Sequence, residues 1–445
     1  MKRTMARLLA VWAIGLSTTG LEAAEYALSV AADRADPVYK TGETITFAIR
    51  PTADGETGKH GTVAYSLSKD VGGPALGSGT LACEGEPLAV TAKLDEPGFV
   101  FCSASWTPDP NSPPIAASAA VAVDPLAIKP SLPVPDDFDA FWNGWKKKLS
   151  ELPMEVKLAP MPVDPKLAVE AFDITINCLG AKPVRGYFAR PRNAKPGSCP
   201  AAATYHAYDG IRDCSLGGVI GQAANGLIAI EVNPHGIETG QPQAYYDGLR
   251  NGELRGFAIR NSDDRDNFYF LWTYLRDLRA LQYLTSLPEW DGAVLIVYGS
   301  SMGGGQAIAM GGLEPRVSLV LANVPALCDH SGFMAGRVCG WWRHVDQAAA
   351  PLREKVLQAM RYFDGVNFAS RFRGEAVFSC GFLDGTCPPS SVYAALNAIP
   401  HSRKQMVYVP TMGHAHHPTI QNAFGAAQVR QVTAAHPPST QPAER

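Results

Sequence analysis

Ala293-Val-Leu-Ile-Val-Tyr-Gly299-Ser-Ser301-Met-Gly303-Gly-Gly305-Gln-Ala307 is the stretch around which the chain arranges itself. A continuous apolar run ends at Tyr298, the pattern of a strand buried on both faces. Gly299-x-Ser301-x-Gly303 follows, and small residues of helical character continue through Met310. Strand, tight turn and helix at this spacing make a nucleophile elbow. The turn forces Ser301 into a strained backbone conformation, and Gly299 and Gly303 leave room for the neighbouring strand and helix. Ser301 Oγ is then presented at the start of a helix, with Met302 N–H directed where an oxyanion would form. The plain alternative is a glycine-rich turn with an idle serine. Ser300 is the rival nucleophile, but only Ser301 has glycine two residues away on each side.

A serine hydroxyl is a weak nucleophile at neutral pH and needs a base, which in turn needs an orienting carboxylate. Behind an elbow of this kind the chain order is Ser, Asp or Glu, then His. Ala376-Val-Phe-Ser-Cys-Gly381-Phe-Leu-Asp384 reads as a strand followed by Asp384 on a turn. Met406-Val-Tyr-Val-Pro-Thr-Met-Gly413-His414 reads as a last strand followed by His414. Both residues leave the C-terminal ends of their strands, the same edge as Ser301. The second oxyanion donor is expected from the loop after an early strand, Thr204-Tyr-His206-Ala-Tyr208, with Tyr208 N–H as the candidate. His206 reads as a packed histidine. His416 and His417 read as solvated loop residues: a metal needs separated ligands with a carboxylate or cysteine partner, so no metal and no cofactor is expected.

Around these motifs strands and helices alternate. Candidate strands are Val156–Leu158, Val169–Ile176, Val184–Ala189, Ala201–Tyr205, Leu227–Val232, Ala293–Tyr298, Leu319–Asn323, Ala376–Cys380 and Gln405–Val409, with the longest helix over Asn267–Ser286. Early strands without helices, then β-α repeats, imply a mostly parallel sheet with an antiparallel edge and helices on both faces. Asp136 to Leu149 reads as an amphipathic helix with an aspartate cap and an aromatic stripe, Phe138, Phe141, Trp142 and Trp145, that docks onto this unit. Residues 25–124 carry short alternating runs such as Thr44-Ile-Thr-Phe-Ala-Ile49, separated by Gly, Pro and Asp. They read as a small all-β immunoglobulin-like sandwich acting as a packing or spacer module. A chain starting near Pro130 is therefore expected to keep its catalysis, since every candidate catalytic residue lies after it. Residues 125–135 read as a linker, 136–432 as the catalytic domain and 433–445 as a disordered tail.

The first 24 residues have a basic start, a short apolar core and small residues ahead of Ala24, as a secretory signal peptide does, so the protein is expected to be secreted or periplasmic. Its removal takes the net charge from −3 to −5. No later segment reaches membrane-spanning length. No Lys/Arg stripe with interleaved aromatics occurs, which argues against nucleic acid. Nine cysteines leave at least one unpaired, and Cys83 with Cys102 is the expected bridge within the β domain.

Taken together, Asp136-Asp-Phe-Asp-Ala-Phe-Trp142, Tyr205-His-Ala-Tyr208, the elbow, Tyr362-Phe-Asp364, Gly381-Phe-Leu-Asp384 with Pro388-Pro389, and Gly413-His414 resemble the acetyl xylan esterase and cephalosporin C deacetylase family of α/β-hydrolases over roughly residues 135–420. The resemblance implies an α/β-hydrolase fold, a Ser301–His414–Asp384 triad and an oxyanion hole of Tyr208 and Met302 N–H groups. It also implies an acetylated carbohydrate as substrate. Family members are often ring-shaped, which makes a homo-oligomer a candidate assembly. Here Met302 stands where the family usually has Gln, Ala207 replaces a glycine, and Asn233-Pro-His235-Gly236 replaces an Arg-Gly-Gln segment. Trp341 and Trp342 have two readings, as rings over a short acyl pocket or as core or subunit-contact aromatics. The alternatives for function are a general carboxylesterase, thioesterase or peptidase on the same scaffold, or a non-catalytic carbohydrate-binding protein.

Overall fold

The computed structural model describes residues 25–109, 113–208 and 211–436, so the expected leader and residues 437–445 of the expected tail lie outside the described residues. Nine strands come first: β1 (Tyr26–Ala32), β2 (Val38–Tyr39), β3 (Thr44–Ala53), β4 (Glu56–Thr57), β5 (Thr62–Lys69), β6 (Ala75–Ala82), β7 (Leu88–Lys93), β8 (Gly98–Thr107) and β9 (Ile115–Val123). They form a four-stranded sheet of β1, β3, β4 and β7 and a five-stranded sheet in the order β2-β9-β8-β5-β6. Period-2 alternation explains how β8 and β9 serve two cores. Val100, Cys102, Ala104 and Trp106 meet Phe47 and Ile49 of the other sheet, whereas Phe99, Ala120 and Ala122 face away into the core of the following unit.

The expected Cys83–Cys102 bridge is not made, and both thiols are free and buried. Strand register explains this. Cys102 lies opposite Leu67 on β5, whereas Cys83 N–H bonds Gly61 O just before that strand. Six residues of strand put roughly 20 Å between the two levels, far beyond disulfide reach.

The chain then forms α1 (Phe138–Glu151), β10 (Val156–Met161), β11 (Val169–Ile176), β12 (Val184–Pro191), β13 (Cys199–Tyr205), α2 (Leu216–Ala224), β14 (Ile228–Val232), α3 (Gln243–Asn251) and α4 (Tyr269–Ser286). Next come β15 (Trp290–Ser300), α5 (Met302–Leu313), β16 (Leu319–Asn323), α6 (His344–Gln347), α7 (Ala350–Met360) and α8 (Gly365–Ala369). The last elements are β17 (Glu375–Gly381), α9 (Pro389–Ala398), β18 (Lys404–Val409) and α10 (Pro418–Ala435), whose last turn takes in the first residues of the expected tail. One nine-stranded sheet runs β10-β11-β12-β14-β13-β15-β16-β17-β18. Its first strands are antiparallel through β12–β14, and β14 to β18 are parallel. The parallel strands β14 and β16 are buried along their whole length, as their apolar runs require. Helices α4, α5, α8 and α9 cover one face; α2 and α10 cover the other.

Helix α1 docks as its aromatic stripe predicts, with Phe138, Phe141 and Trp142 buried against Tyr362, Phe363 and Phe368. The expected aspartate cap is not formed. Asp137 occupies the cap position, but its carboxylate accepts from Tyr362 O–H and from Arg265, the latter at 2.7 Å. A cation and a phenol are stronger donors than a backbone amide that water can serve.

The β unit is more than a spacer. Phe99 packs edge-on against Phe382 and also meets Tyr393, at centroid distances of 5.1 and 5.7 Å. The buried Asp70 carboxylate accepts from Ser390 Oγ at 2.7 Å. Arg343 donates to Gly385 O at 2.9 Å and Val71 O at 3.4 Å. The turn after β5 is thereby wedged beside the loop that carries Asp384.

Candidate active site

The elbow has the strain that its sequence foretells. Ser301 sits at φ 55°, ψ −119° between β15 and α5. A non-glycine residue there costs on the order of 1–3 kcal/mol and persists only when its surroundings hold it. Ser301 N–H donates to Asn323 O at 2.9 Å, and Ser301 O accepts from Ala326 at 2.9 Å and Gly305 at 3.1 Å. The two glycines are steric necessities. A Cβ on Gly299 would stand 2.1 Å from Gly303 O, and one on Gly303 would stand 2.2 Å from Tyr205 O.

Three residues separated widely in sequence meet at the C-terminal edge of the parallel strands. His414 Nε2 lies 2.9 Å from Ser301 Oγ, and His414 Nδ1 lies 2.8 Å from Asp384 Oδ2. Asp384 is fully buried, and its other oxygen accepts from Thr386 and Cys387 N–H, each at 2.8 Å. With one side of the imidazole facing an acceptor-only carboxylate, the proton belongs on Nδ1, and Nε2 is left to accept from the serine hydroxyl. Ser300 is engaged elsewhere: its Oγ accepts from Asn323 Nδ2 at 2.9 Å.

Met302 is the first residue of α5, so its N–H has no carbonyl one turn back to bond. Tyr208 stands exposed at the rim of a cavity of about 260 Å³ that Ser301, His414, Thr386 and Trp341 also line. The Tyr208 ring meets Trp341 and Trp342 edge-on at 4.9 and 5.2 Å and stacks on Phe257 at 5.3 Å. The tandem tryptophans therefore divide the two roles set out for them. Trp341 lines the cavity, while Trp342 packs inward against Phe257 and Phe270.

Asn323 is a hub that motif reading passed over. Its Oδ1 accepts from Ser379 Oγ at 2.7 Å, and its Nδ2, besides holding Ser300, approaches Ala415 O and His416 Nδ1 at 3.4 and 3.3 Å. It links β16 and β17 to the loop carrying His414. The available signal was an asparagine ending the strand next to the elbow. The adjacent histidines are more engaged than solvated loop residues would be. His416 is exposed but lines the cavity, and His417 Nδ1 accepts from Thr419 N–H at 3.2 Å to start α10. Proximity to Asn323 and to the helix start draws them in.

His206 is a packed histidine, bonded through Nε2 to Glu231 Oε1 at 2.7 Å. With Cys214 these residues form a buried trio whose donor atoms lie within 4.8 Å of one another, the set among the described residues that could hold a metal ion. Glu231 Oε1 also accepts from Ser215 N–H at 3.0 Å, so Glu231 ties His206 to the cap of α2. Among the described residues, no helix is long and apolar enough to cross a membrane.

The chain matches the acetyl xylan esterase (AXE1) family model over residues 127–429. It is 28% identical over 393 residues to the acetyl esterase Axe7A of Xylanibacter ruminicola, covering 86% of each chain. Among solved structures, an acetyl xylan esterase from Paenibacillus sp. R4 aligns at TM-score 0.59 and 27% identity, over 70% of this chain and 98% of that one. Acetyl xylan esterase 1 from Thermoanaerobacterium sp. JW/SL YS485 aligns at the same TM-score and 25% identity, over the same shares. With an α/β-hydrolase sheet, an elbow serine and relatives of this kind, the chain belongs to the acetyl xylan esterase family and is a carboxylic ester hydrolase.

Proposed function

We propose that this protein is an exported serine esterase that removes acetyl groups from acetylated sugars or xylan-type polysaccharides. The observation that carries the reading is the unbroken hydrogen-bonded line Ser301 Oγ–His414–Asp384 opening into a small aromatic-rimmed cavity. His414 Nε2 takes the Ser301 proton as Oγ attacks the acetyl carbonyl. The tetrahedral oxyanion is held by Met302 and Tyr208 N–H. The carbonyl reforms as the imidazolium gives its proton to the departing sugar hydroxyl. Water, deprotonated by the same nitrogen, attacks the acetyl-enzyme and releases acetate. Asp384 keeps the imidazole in the tautomer this cycle needs and stabilises its charged form. Preorganised N–H donors of this kind are each worth about 10²–10³-fold in turnover.

The chain is organised on this reading as a leader (1–24), an immunoglobulin-like sandwich (25–124), a connecting segment (125–135) and a catalytic domain (136–432). The shared core of the two N-terminal sheets supports the sandwich assignment. The relatives' printed activities support acetyl as the acyl group. The test is acetate release from acetylated xylooligosaccharides together with fluorophosphonate labelling mapped to Ser301. Labelling without acetate release, but with thioester or peptide cleavage, would overturn the substrate assignment. A folded protein that neither labels nor hydrolyses would leave a carbohydrate-binding role.

A further inference from the structure

We propose that a second cavity, beyond Phe257 from Ser301, is a subsite for a carboxylate-bearing sugar, so that the saccharide deacetylated here is an acidic one. This deepens the deacetylase reading and rests on it. The cavity holds about 330 Å³ between the turn at Gly180, the Asn233–Gly236 segment and the start of α4. Lys182, His235, Arg260, Tyr269, Trp272 and Arg276 line it. The one carboxylate on its wall, Glu253, is paired with Lys182 at 3.2 Å.

The charged inventory is one-sided. Tyr269 Oη lies 2.7 Å from His235 Nδ1, and burial pushes the phenol up to about 12, so it holds a proton to donate there. With the phenol as donor to Nδ1, the neutral ring carries its proton on the other nitrogen, Nε2. It is buried, belongs to a residue on this cavity's wall, and has no hydrogen-bond partner among the described residues. Burial also holds the His235 imidazole well below its ordinary range, so it stays a neutral donor. Arg276 Nε is a second buried donor without a partner; its Nη2 serves Pro234 O. An unsatisfied buried donor costs on the order of 1–3 kcal/mol, more when charged. Two buried donors without partners, and three cations against one paired carboxylate, suit a ligand that accepts and carries negative charge, while the Asn261 and Asn267 amides on the same wall can serve neighbouring hydroxyls. A carboxylate brings no proton of its own and offsets the excess cationic charge. Tyr269 and Trp272 add flat apolar walls of the sort against which a pyranose ring packs.

The position ties this subsite to the reaction. The His235 ring meets Phe257 at 4.6 Å, and Phe257 stacks on Tyr208, which rims the serine cavity. The segments after β14 and before β12 leave the same sheet edge as the elbow. The donors thus lie two aromatic rings from the serine cavity, on the same edge of the sheet.

The experiment measures kcat/KM for acetate release from two acetylated xylooligosaccharides of equal length, one carrying a glucuronic acid and one neutral. The substitutions are Lys182→Gln and Arg260→Gln, separately and together; both side chains reach the surface, and neither touches the reacting groups. Nitrophenyl acetate hydrolysis is the control. The expected result is a preference of about tenfold or more for the acidic saccharide. It falls with added salt and is lost in the double variant, while nitrophenyl acetate hydrolysis is unchanged. Equal rates on the two saccharides would overturn the subsite and leave the deacetylase reading standing. Hydrolysis of nitrophenyl acetate with no acetate released from either saccharide would overturn the deacetylase reading itself. Thermal stabilisation by free glucuronate without any saccharide preference would assign the cavity to a small carboxylate ligand and overturn its role in substrate choice.

Discussion

Replacing Gly303 by alanine places a methyl group where the end of β13 already stands. The new Cβ would lie 2.2 Å from Tyr205 O and 2.8 Å from His206 O, whereas real Cβ contacts essentially never fall below 3.0 Å. Both obstacles are backbone atoms, so no side chain can swing aside. Relief requires α5 and the end of β13 to part by about 0.8 Å, the shortfall of the closer contact. One side of that gap carries Ser301 and Met302, the other the loop to Tyr208, so the movement opens the oxyanion hole itself. Misplacement on the order of 1 Å costs about 10²-fold in rate. Overpacking of a filled core costs ~1–3 kcal/mol of stability. Gly304→Ala is the internal control: its Cβ would lie 3.0 Å from Pro325 Cα and Cβ, a far milder contact. The assay is kcat/KM for nitrophenyl acetate on folded protein, with the melting temperature measured alongside. Gly303→Ala is expected to lose about 10² in kcat/KM and Gly304→Ala much less. A folded Gly303→Ala enzyme within about twofold of the parent would refute the assignment of this turn as the oxyanion site.

Ser301→Ala is expected to abolish fluorophosphonate labelling and to lower turnover roughly 10⁴-fold or more, while Ser300→Ala keeps both in part; the reverse pattern would move the nucleophile by one residue. Along a nitrophenyl acetate, butyrate and octanoate series, kcat/KM is expected to fall steeply, each extra methylene costing on the order of 1–3 kcal/mol in a filled pocket. Trp341→Ala should flatten that series and Trp342→Ala should lower stability instead, and a series already flat in the parent would sink the short-pocket reading. Burial raises Asp70 to about 6, so the folded chain holds a proton that the unfolded chain releases from about pH 4 upward. That contribution is present at low pH and lost as pH rises through about 6. Asp70→Asn, which never ionises, should therefore gain stability relative to the parent between those limits, by up to ~3 kcal/mol; parallel melting curves against pH would count against it. A chain starting at Pro130, expected from sequence to stay active, is now expected to aggregate or lose activity, because Phe99 and the turn after β5 back the Asp384 loop; a soluble truncation with full kcat/KM would contradict this.

The sequence by itself determined the elements whose signals are local. Continuous apolar runs marked the buried strands, including β13, β15 and β16, because a strand covered on both faces has no polar side to show. Glycine at 299 and 303 marked the elbow because close backbone approach excludes every larger residue there. The order Ser301, Asp384, His414 along one sheet edge was legible because each follows a recognisable strand. Only the tertiary structure decided what depends on two distant segments meeting. The Cys83–Cys102 bridge failed because register, which the cysteines do not encode, sets them at different levels of β5. Asp137 turned from capping its helix to holding Tyr362 and Arg265, partners more than a hundred residues away. The β unit became part of the support for the Asp384 loop because an alternating strand has two faces. Its pattern shows that both Phe99 and Val100 are apolar, and only the neighbouring unit shows that both faces are covered. Asn323 and the donors around His235 lay outside every motif, since a hydrogen-bond network is a property of the space between elements rather than of any one of them.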